Sequence, residues 1–354
     1  MDELVSKNRI DWIDICKAIA IYIMVLGHVG VSKNVDIIIH AFHMPIFFII
    51  SGYCFNEKKN NNIWNYLKKS FFRLIIPYFI FGIVLYGLSD LILYFLNRRE
   101  EILSIKNLIY QLIFNTKTGS FGVIQWFLTC LFFTQINFCI ICKICKNSKI
   151  KYFIILSIYS ILAYLYPKFI KIRLPFALDC SFMSVVFYGL GWSFKKLNIE
   201  KFRKILKNHI FLIFLICCLL VLIGISLVKL NNYVNMRNIV YGNYFLFLFN
   251  SIYYSFLLIV FSNLLDIVLK KTYIKKFFLC VGKNTLSILL LNQFVKFIFY
   301  LIILKYIEKI SINFQIYFVN IIISYIIIIV CILFSIIIKK YCPYVLGEFK
   351  NNKK

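Results

Sequence analysis

Apolar residues run along this chain in long blocks, each broken by a short stretch rich in lysine and asparagine. A helix rises about 1.5 Å per residue, so roughly twenty apolar residues cross about 30 Å of hydrocarbon. Read at that scale, the pattern predicts ten membrane-spanning helices, over residues 10–30, 35–56, 71–96, 121–143, 151–166, 174–194, 209–228, 240–265, 285–304 and 312–338. The fifth is the shortest and is marginal for a bilayer. The predicted fold class is an all-α polytopic transmembrane bundle. The blocks leave no room for a sizeable soluble domain. The simplest division is one membrane domain over 1–345 and a short basic cytoplasmic tail over 346–354.

Composition agrees: 62% of the 354 residues are hydrophobic, and the mean hydropathy is +0.83. The formal net charge of +27 raises nucleic acid as a partner. The placement of the basic residues argues against it, because they fall in short loops between apolar blocks. They read as topology signals and contacts with anionic membrane lipid. With the N-terminus in the cytoplasm, inner segments carry 25 Lys/Arg and outer segments 12. That bias supports both termini inside. The first block carries Asp11, Asp14 and Lys17 and has no small-residue cleavage site after it, so it is expected to be retained rather than removed as a signal peptide. The twelve cysteines lie mostly in apolar blocks and read as free thiols. Cys139, Cys142 and Cys145 recur every third residue, yet no metal site is expected without further ligands. There is no Walker-type loop, no H-E-x-x-H and no G-x-S-x-G elbow.

The ionisable residues inside the blocks change the picture most. Lys17 and His28 stand eleven residues apart in the first helix. Eleven residues is close to three helical turns, about 1,100° of rotation, so both share one face. Asp14 lies one turn before Lys17 on nearly that face. Charge in hydrocarbon is costly and tends to persist only where it serves something. Counting depth from the loops gives two tiers. The outer tier holds His28, His40, His43, Trp126 and Asp179; the inner tier holds Asp14, Lys17, Arg73 and, about two turns into its own span, Asn292. Such a layout suits an anionic ligand held from the cytoplasm and acid–base chemistry at the far end. Plainer roles stay open at each position. Asp14 would neutralise Lys17, Trp126 would join an aromatic belt, Asp179 would cap its helix, Ser51 with Gly52 would form a packing notch, and Asn292 would bond a neighbouring helix. Lys296, in mid-span, has no assigned role.

Several motifs carry a resemblance. They are Trp12-Ile-Asp14-Ile-Cys-Lys17 with Gly27-His28; Phe42-His43-Met-Pro-Ile-Phe47-Phe48-Ile-Ile-Ser51-Gly52; Arg73-Leu-Ile-Ile-Pro77; Trp126-Phe-Leu; Pro175 with Asp179; and Val281-Gly282-Lys-Asn284-Thr-Leu. In this order they resemble the acyltransferase 3 family of integral membrane acyltransferases, and within it the branch described as fucose 4-O-acetylase-like, grouped with polysaccharide O-acetyltransferases. The resemblance implies about ten helices and transfer of an acetyl group from acetyl-CoA to a sugar hydroxyl outside the cytoplasm. It implies His28 as the catalytic histidine, as general base or transient acyl carrier, and Lys17 as a donor-binding residue. Acetyl-CoA would serve as co-substrate, with Lys17, Asp14, Arg73 and Ser51 on the donor side. Asp179 or His43 would orient His28 or meet the acceptor, while Trp126 and Asn292 would contact a surface or lipid-linked glycan. Two departures stand out. Many members have an R-x-x-R pair before the third-helix proline, where this chain has Ser70, with Lys69 beside it, and then Arg73. Many have histidine where this chain has Asn292. The expected setting is a bacterial cell membrane. The competing readings are a transporter of a lipid-linked sugar or organic anion, and a structural or signalling membrane protein.

Overall fold

Each apolar block forms a helix, as it must in a medium that offers no water to the backbone. The computed structural model describes residues 9–56, 62–102, 104–115, 125–146, 148–170, 172–197, 199–307 and 313–348, with backbone alone for 302–307 and 313–316. The helices are α1 (Asp11–Val29), α2 (Lys33–Cys54), α3 (Ile63–Ser70), α4 (Ile76–Phe95), α5 (Ile105–Phe114), α6 (Trp126–Cys145), α7 (Lys149–Phe169), α8 (Leu178–Phe194), α9 (Ile199–Asn208), α10 (Ile210–Lys229), α11 (Tyr244–Leu269), α12 (Tyr273–Lys283), α13 (Thr285–Ile307) and α14 (Asn313–Tyr341). A π-helical turn, Phe71–Ile75, joins α3 to α4. Among the described residues, nine helices are long and apolar enough to cross a membrane, and a bent pair brings the number to ten.

That bent pair is the main difference from the sequence pattern. The ninth block, 285–304, is α13, but a further helix that the pattern did not predict, α12, precedes it and meets it at 80°. Asn284 sits at the break. Its Nδ2 donates to Cys280 O at 2.9 Å, and its Oδ1 accepts from Ser335 Oγ at 2.9 Å and Lys339 Nζ at 3.0 Å, both on α14. The fifth block also differs. It is a helix of 21 residues, long enough to cross, because Pro167 is taken into its last turn rather than ending it. The tail residues 349–354, the outer segments 116–124 and 308–312, and most of the first nine residues lie outside the described residues.

Helix α1 is the axis of the assembly and packs against α2, α11, α12, α13 and α14, whereas α8 packs against α2, α6 and α7. Two backbone crossings fix this arrangement. A Cβ at Gly52 of α2 would fall inside the carbonyl group of Tyr188 on α8, and one at Gly191 of α8 inside that of Ile49 on α2. The reciprocal pair brings the two helices to backbone contact, as small residues do between helices in membranes. Gly282 of α12 meets the carbonyl of Asp14 on α1 in the same way. At the periphery, α7 and α10 keep exposed apolar faces, with Ile158 and Ile161 on one and Phe211 and Leu222 on the other. These are the faces a bilayer would cover.

Backbone atoms at the glycine crossings cannot move aside for a side chain, and forcing volume into a packed contact costs about 1–3 kcal/mol or more. Gly52→Val and Gly191→Val should each lower the melting temperature of the detergent-purified protein. Gly87→Val, at a position with nothing within 4 Å, should leave it nearly unchanged. Equal melting curves for all three would contradict the crossing.

Candidate functional site

The N-terminal half of α1 opens onto a cavity of about 490 Å³. Its cations come from three elements. Lys17 projects from α1, and Lys69 and Arg73 project from the α3 end and the π turn. The π turn has a local cause. Pro77 has no N–H to give the carbonyl of residue 73 and crowds it, so the helix widens ahead of the proline. Ile76 N then bonds back to Phe71 O. The departure from the R-x-x-R pattern is accommodated here, since Lys69, Ser70 and Arg73 all line the cavity. Ser51, Asn56, Tyr66 and Tyr188 add polar groups to the wall.

Charge in the cavity is one-sided. No Asp or Glu lines it among the described residues. Lys17 Nζ lies 3.5 Å from Asp14 Oδ1, and Arg9 Nη1 lies 3.7 Å from the other oxygen of that carboxylate. Asp14 is therefore beside Lys17 but outside the cavity wall, shared between two cations. Lys69 and Arg73 have no carboxylate within 4 Å among the described residues. Gln135, on α6, also faces the cavity, and its Oε1 is buried without a hydrogen-bond partner among the described residues. A buried acceptor left unpaired is costly, so it points to a donor that arrives with a ligand. Gln135 and Tyr66 escaped the sequence reading, and Lys69 and Tyr188 were given no site role there. Lys69 alone gave a signal, by standing next to the vacant position of the arginine pair.

The outer tier forms around the far end of α1. Gly27 lies against Ile39 of α2, so His28 and the pair His40 and His43 stand within about a turn of the same level. His43 is buried, and its Nδ1 lies 2.7 Å from Ile39 O. A carbonyl only accepts, so Nδ1 donates, and in the neutral ring Nε2 carries the lone pair. The His40 ring meets that of His43 edge-on at 5.1 Å, and its Nδ1 lies 3.0 Å from Asp36 Oδ1. Lys296, which the sequence left without a role, reaches across from α13 and donates to the backbone carbonyl of His28. Asn320 of α14 donates to Gly30 O at 3.0 Å. A cation and an amide thus satisfy carbonyls at the C-terminal end of α1, where the helix dipole favours positive charge.

The remaining candidates separate. Asp179 is fully committed within its own loop. Its Oδ2 lies 2.8 Å from Arg173 Nε and accepts from Leu174 N at 3.4 Å, and its Oδ1 accepts from Cys180 N at 2.8 Å. Arg173 Nη1 continues to Arg237 O at 2.6 Å, and Arg237 Nε to Asn115 O at 2.9 Å. The chain of contacts ties three outer loops together. Burial, with the Arg173 cation beside it, pushes the Arg237 guanidinium down to about 10. Trp126 is buried at the first position of α6. The neighbouring Gln125 Nε2 lies 3.4 Å from Leu290 O, six residues or about 9 Å below Lys296 along α13. Asn292 lies between the tiers on α13. Its Nδ2 donates to Ile288 O at 2.9 Å and Leu289 O at 2.8 Å on its own helix.

Breaking a buried ion pair by removing one partner costs about 3–5 kcal/mol. Asp179→Asn and Arg173→Met should therefore destabilise the protein alike in thermal melting. Normal melting of Asp179→Asn with a lost reaction would instead make Asp179 a group of the reaction site.

A family model described as an acyltransferase domain, acyltransferase 3, matches residues 10–340. The match spans both ends of α1, the cavity, the outer loops and the α12–α13 break. No curated protein and no solved structure matches the chain. A match over nearly the whole chain, on a multi-pass helical bundle, shows that the protein belongs to the acyltransferase 3 family and is a membrane acyltransferase.

Proposed function

We propose that the protein moves an acetyl group from cytoplasmic acetyl-CoA to a hydroxyl of an extracytoplasmic or lipid-linked carbohydrate. One observation carries the reading. The cavity gathers Lys17, Ser51, Lys69 and Arg73 at one end of α1, with no carboxylate in its described wall, and His28 stands at the other end of the same helix. Coenzyme A is a polyanion with a long neutral arm that ends in the thioester. Arg73 offers a planar fork for a phosphate, while Lys17 and Lys69 act as point charges. Gln135 Oε1 suits an amide N–H of the pantetheine arm.

The described cavity wall reaches Ile21 on α1 and Leu289 on α13. His28 and Lys296 each lie seven residues further along those helices, about 10 Å. Transfer therefore requires the pantetheine arm to pass between α1 and α13 by two helical turns. At the His28 end, the imidazole removes the proton of the acceptor hydroxyl as its oxygen attacks the thioester carbonyl carbon. The carbon–sulfur bond breaks, and the coenzyme A thiolate leaves and takes up a proton. The alternative is two transfers through an acetyl-imidazole on His28. His43, with its lone pair on Nε2, is placed to receive a proton or an acceptor hydroxyl at the same level. Trp126 and Asn292 lie along the way between the tiers, where a ring face and an amide meet the arm or the sugar.

The test is acetyl transfer by protein reconstituted in liposomes, with labelled acetyl-CoA and a panel of glycans. His28→Ala should lower turnover by at least about a hundredfold while the protein still folds, in line with loss of a general base. Arg73→Met should raise the KM for acetyl-CoA by about tenfold to a hundredfold, the value of a charge-assisted contact. Movement of a sugar or anion across the membrane without consumption of acetyl-CoA would overturn the proposal.

A further inference from the structure

A second cleft lies at the same end of the bundle as the cationic cavity, on the outside of the helices. It has a volume of about 240 Å³ and is walled by the end of α6, the start of α7 and the end of α8. Ser148, Lys149, Tyr152, Trp192, Ser193 and Lys196 form its working surface. Lys196 Nζ sits 3.4 Å above the Trp192 ring, which holds the ammonium over the cleft. Lys149 is exposed at the first position of α7, behind the Ser148 cap, whose hydroxyl accepts from Lys151 N at 3.4 Å. Neither Lys149 nor Lys196 meets a carboxylate within 4 Å among the described residues. Ser193 Oγ donates to Tyr152 Oη at 3.3 Å, and Tyr152 in turn to Gly189 O at 2.6 Å, so the floor of the cleft is hydrogen-bonded and rigid. Two ammonium groups and a helix N-terminus converge on a hollow that is too small for a polypeptide helix.

Above the cleft, α7 presents a largely apolar face in which Phe153, Ile154, Ile158 and Ile161 are exposed, with Ser157 the one polar residue among them. Cations at the helix end and a bare hydrocarbon surface running away from them match the two halves of one kind of molecule. We infer that this cleft binds the phosphodiester headgroup of an anionic phospholipid, between Lys149 and Lys196, with an acyl chain laid along α7. Basic hollows between transmembrane helices on the cytoplasmic side have the chemistry for such headgroups. Trp192 contributes its ring to the headgroup level, where aromatic side chains are favoured. The site is separate from the acyl-donor cavity and does not depend on how that cavity is used.

Native mass spectrometry of the purified protein with phosphatidylglycerol or phosphatidylcholine tests it. The wild-type protein should retain phosphatidylglycerol in preference to phosphatidylcholine. The double substitution Lys149→Ala and Lys196→Ala should weaken phosphatidylglycerol retention by about tenfold or more, given the attraction each basic residue supplies near a membrane surface. Lys149→Gln alone should give part of that loss, and the double arginine variant should restore binding. The control is Lys143→Ala with Lys146→Ala, which removes the same charge at the adjoining end of α6, from residues that do not line the cleft, and should change retention by less than about twofold. Equal loss in both double variants would mean diffuse attraction and overturn the site. So would unchanged retention in all of them. Displacement of the lipid by inorganic phosphate, with phosphate binding lost in the Lys149 and Lys196 variant, would reassign the cleft to a free anion.

Discussion

An ammonium group on a helix of isoleucine, alanine and valine persists only where something answers its charge. Lys17 is that group, and much of the site is arranged around it. Asp14, one turn before it, takes part of the charge, and that same residue's carbonyl forms the close crossing with Gly282. The crossing sets α12 against α1, and the Asn284 break then turns α13 alongside it. The cavity opens where α1, α2, the π turn and α6 leave Lys17 room, and there Lys69 and Arg73 bring charge of the same sign. Three like cations in one cavity repel one another, which makes the empty cavity a poor resting place and a good one for a polyanion.

The far end of α1 obeys a related constraint. A helix that stops inside a bundle leaves carbonyls without partners. Lys296 and Asn320 supply them, at His28 and Gly30. The contact at His28 O anchors the backbone beneath the imidazole. The two tiers of polar residues are thus linked through one rigid rod: the charge at one end and the histidine at the other keep a fixed separation. In the proposed reaction, that separation would let a thioester presented from one side of a membrane serve a hydroxyl on the other.

Much of this was legible in the sequence because the signals were violations of a simple rule. Lys17, His28 and Arg73 are polar groups in apolar blocks, and periodicity alone puts Lys17 and His28 on one face. Nine of the ten blocks match single helices long enough to cross among the described residues, because each needs about the same length to cross hydrocarbon, and the remaining block is met only by the bent pair. What stayed hidden depends on contacts between helices. Gln135 looks like any glutamine in a span until its oxygen is seen buried and unpartnered in the cavity wall. Lys296 had no visible partner because its acceptor is a backbone carbonyl 268 residues away. The ninth block was started correctly after Asn284, but α12 before it and the 80° turn between the two were missed, because hydropathy does not report the direction of a helix. Asp179 was placed at the correct end, yet its partner is Arg173 in the preceding loop, a spacing that composition does not single out.

The most direct measurement is an experimental structure of the protein in a lipid nanodisc with a non-hydrolysable acetyl-CoA analogue. The account predicts phosphate density within hydrogen-bonding reach of Arg73, Lys69 and Lys17, and a pantetheine arm rising past Gln135 and Leu289 toward His28. Analogue bound at the His28 end, or held outside this cavity with Lys69 and Arg73 untouched, would contradict it.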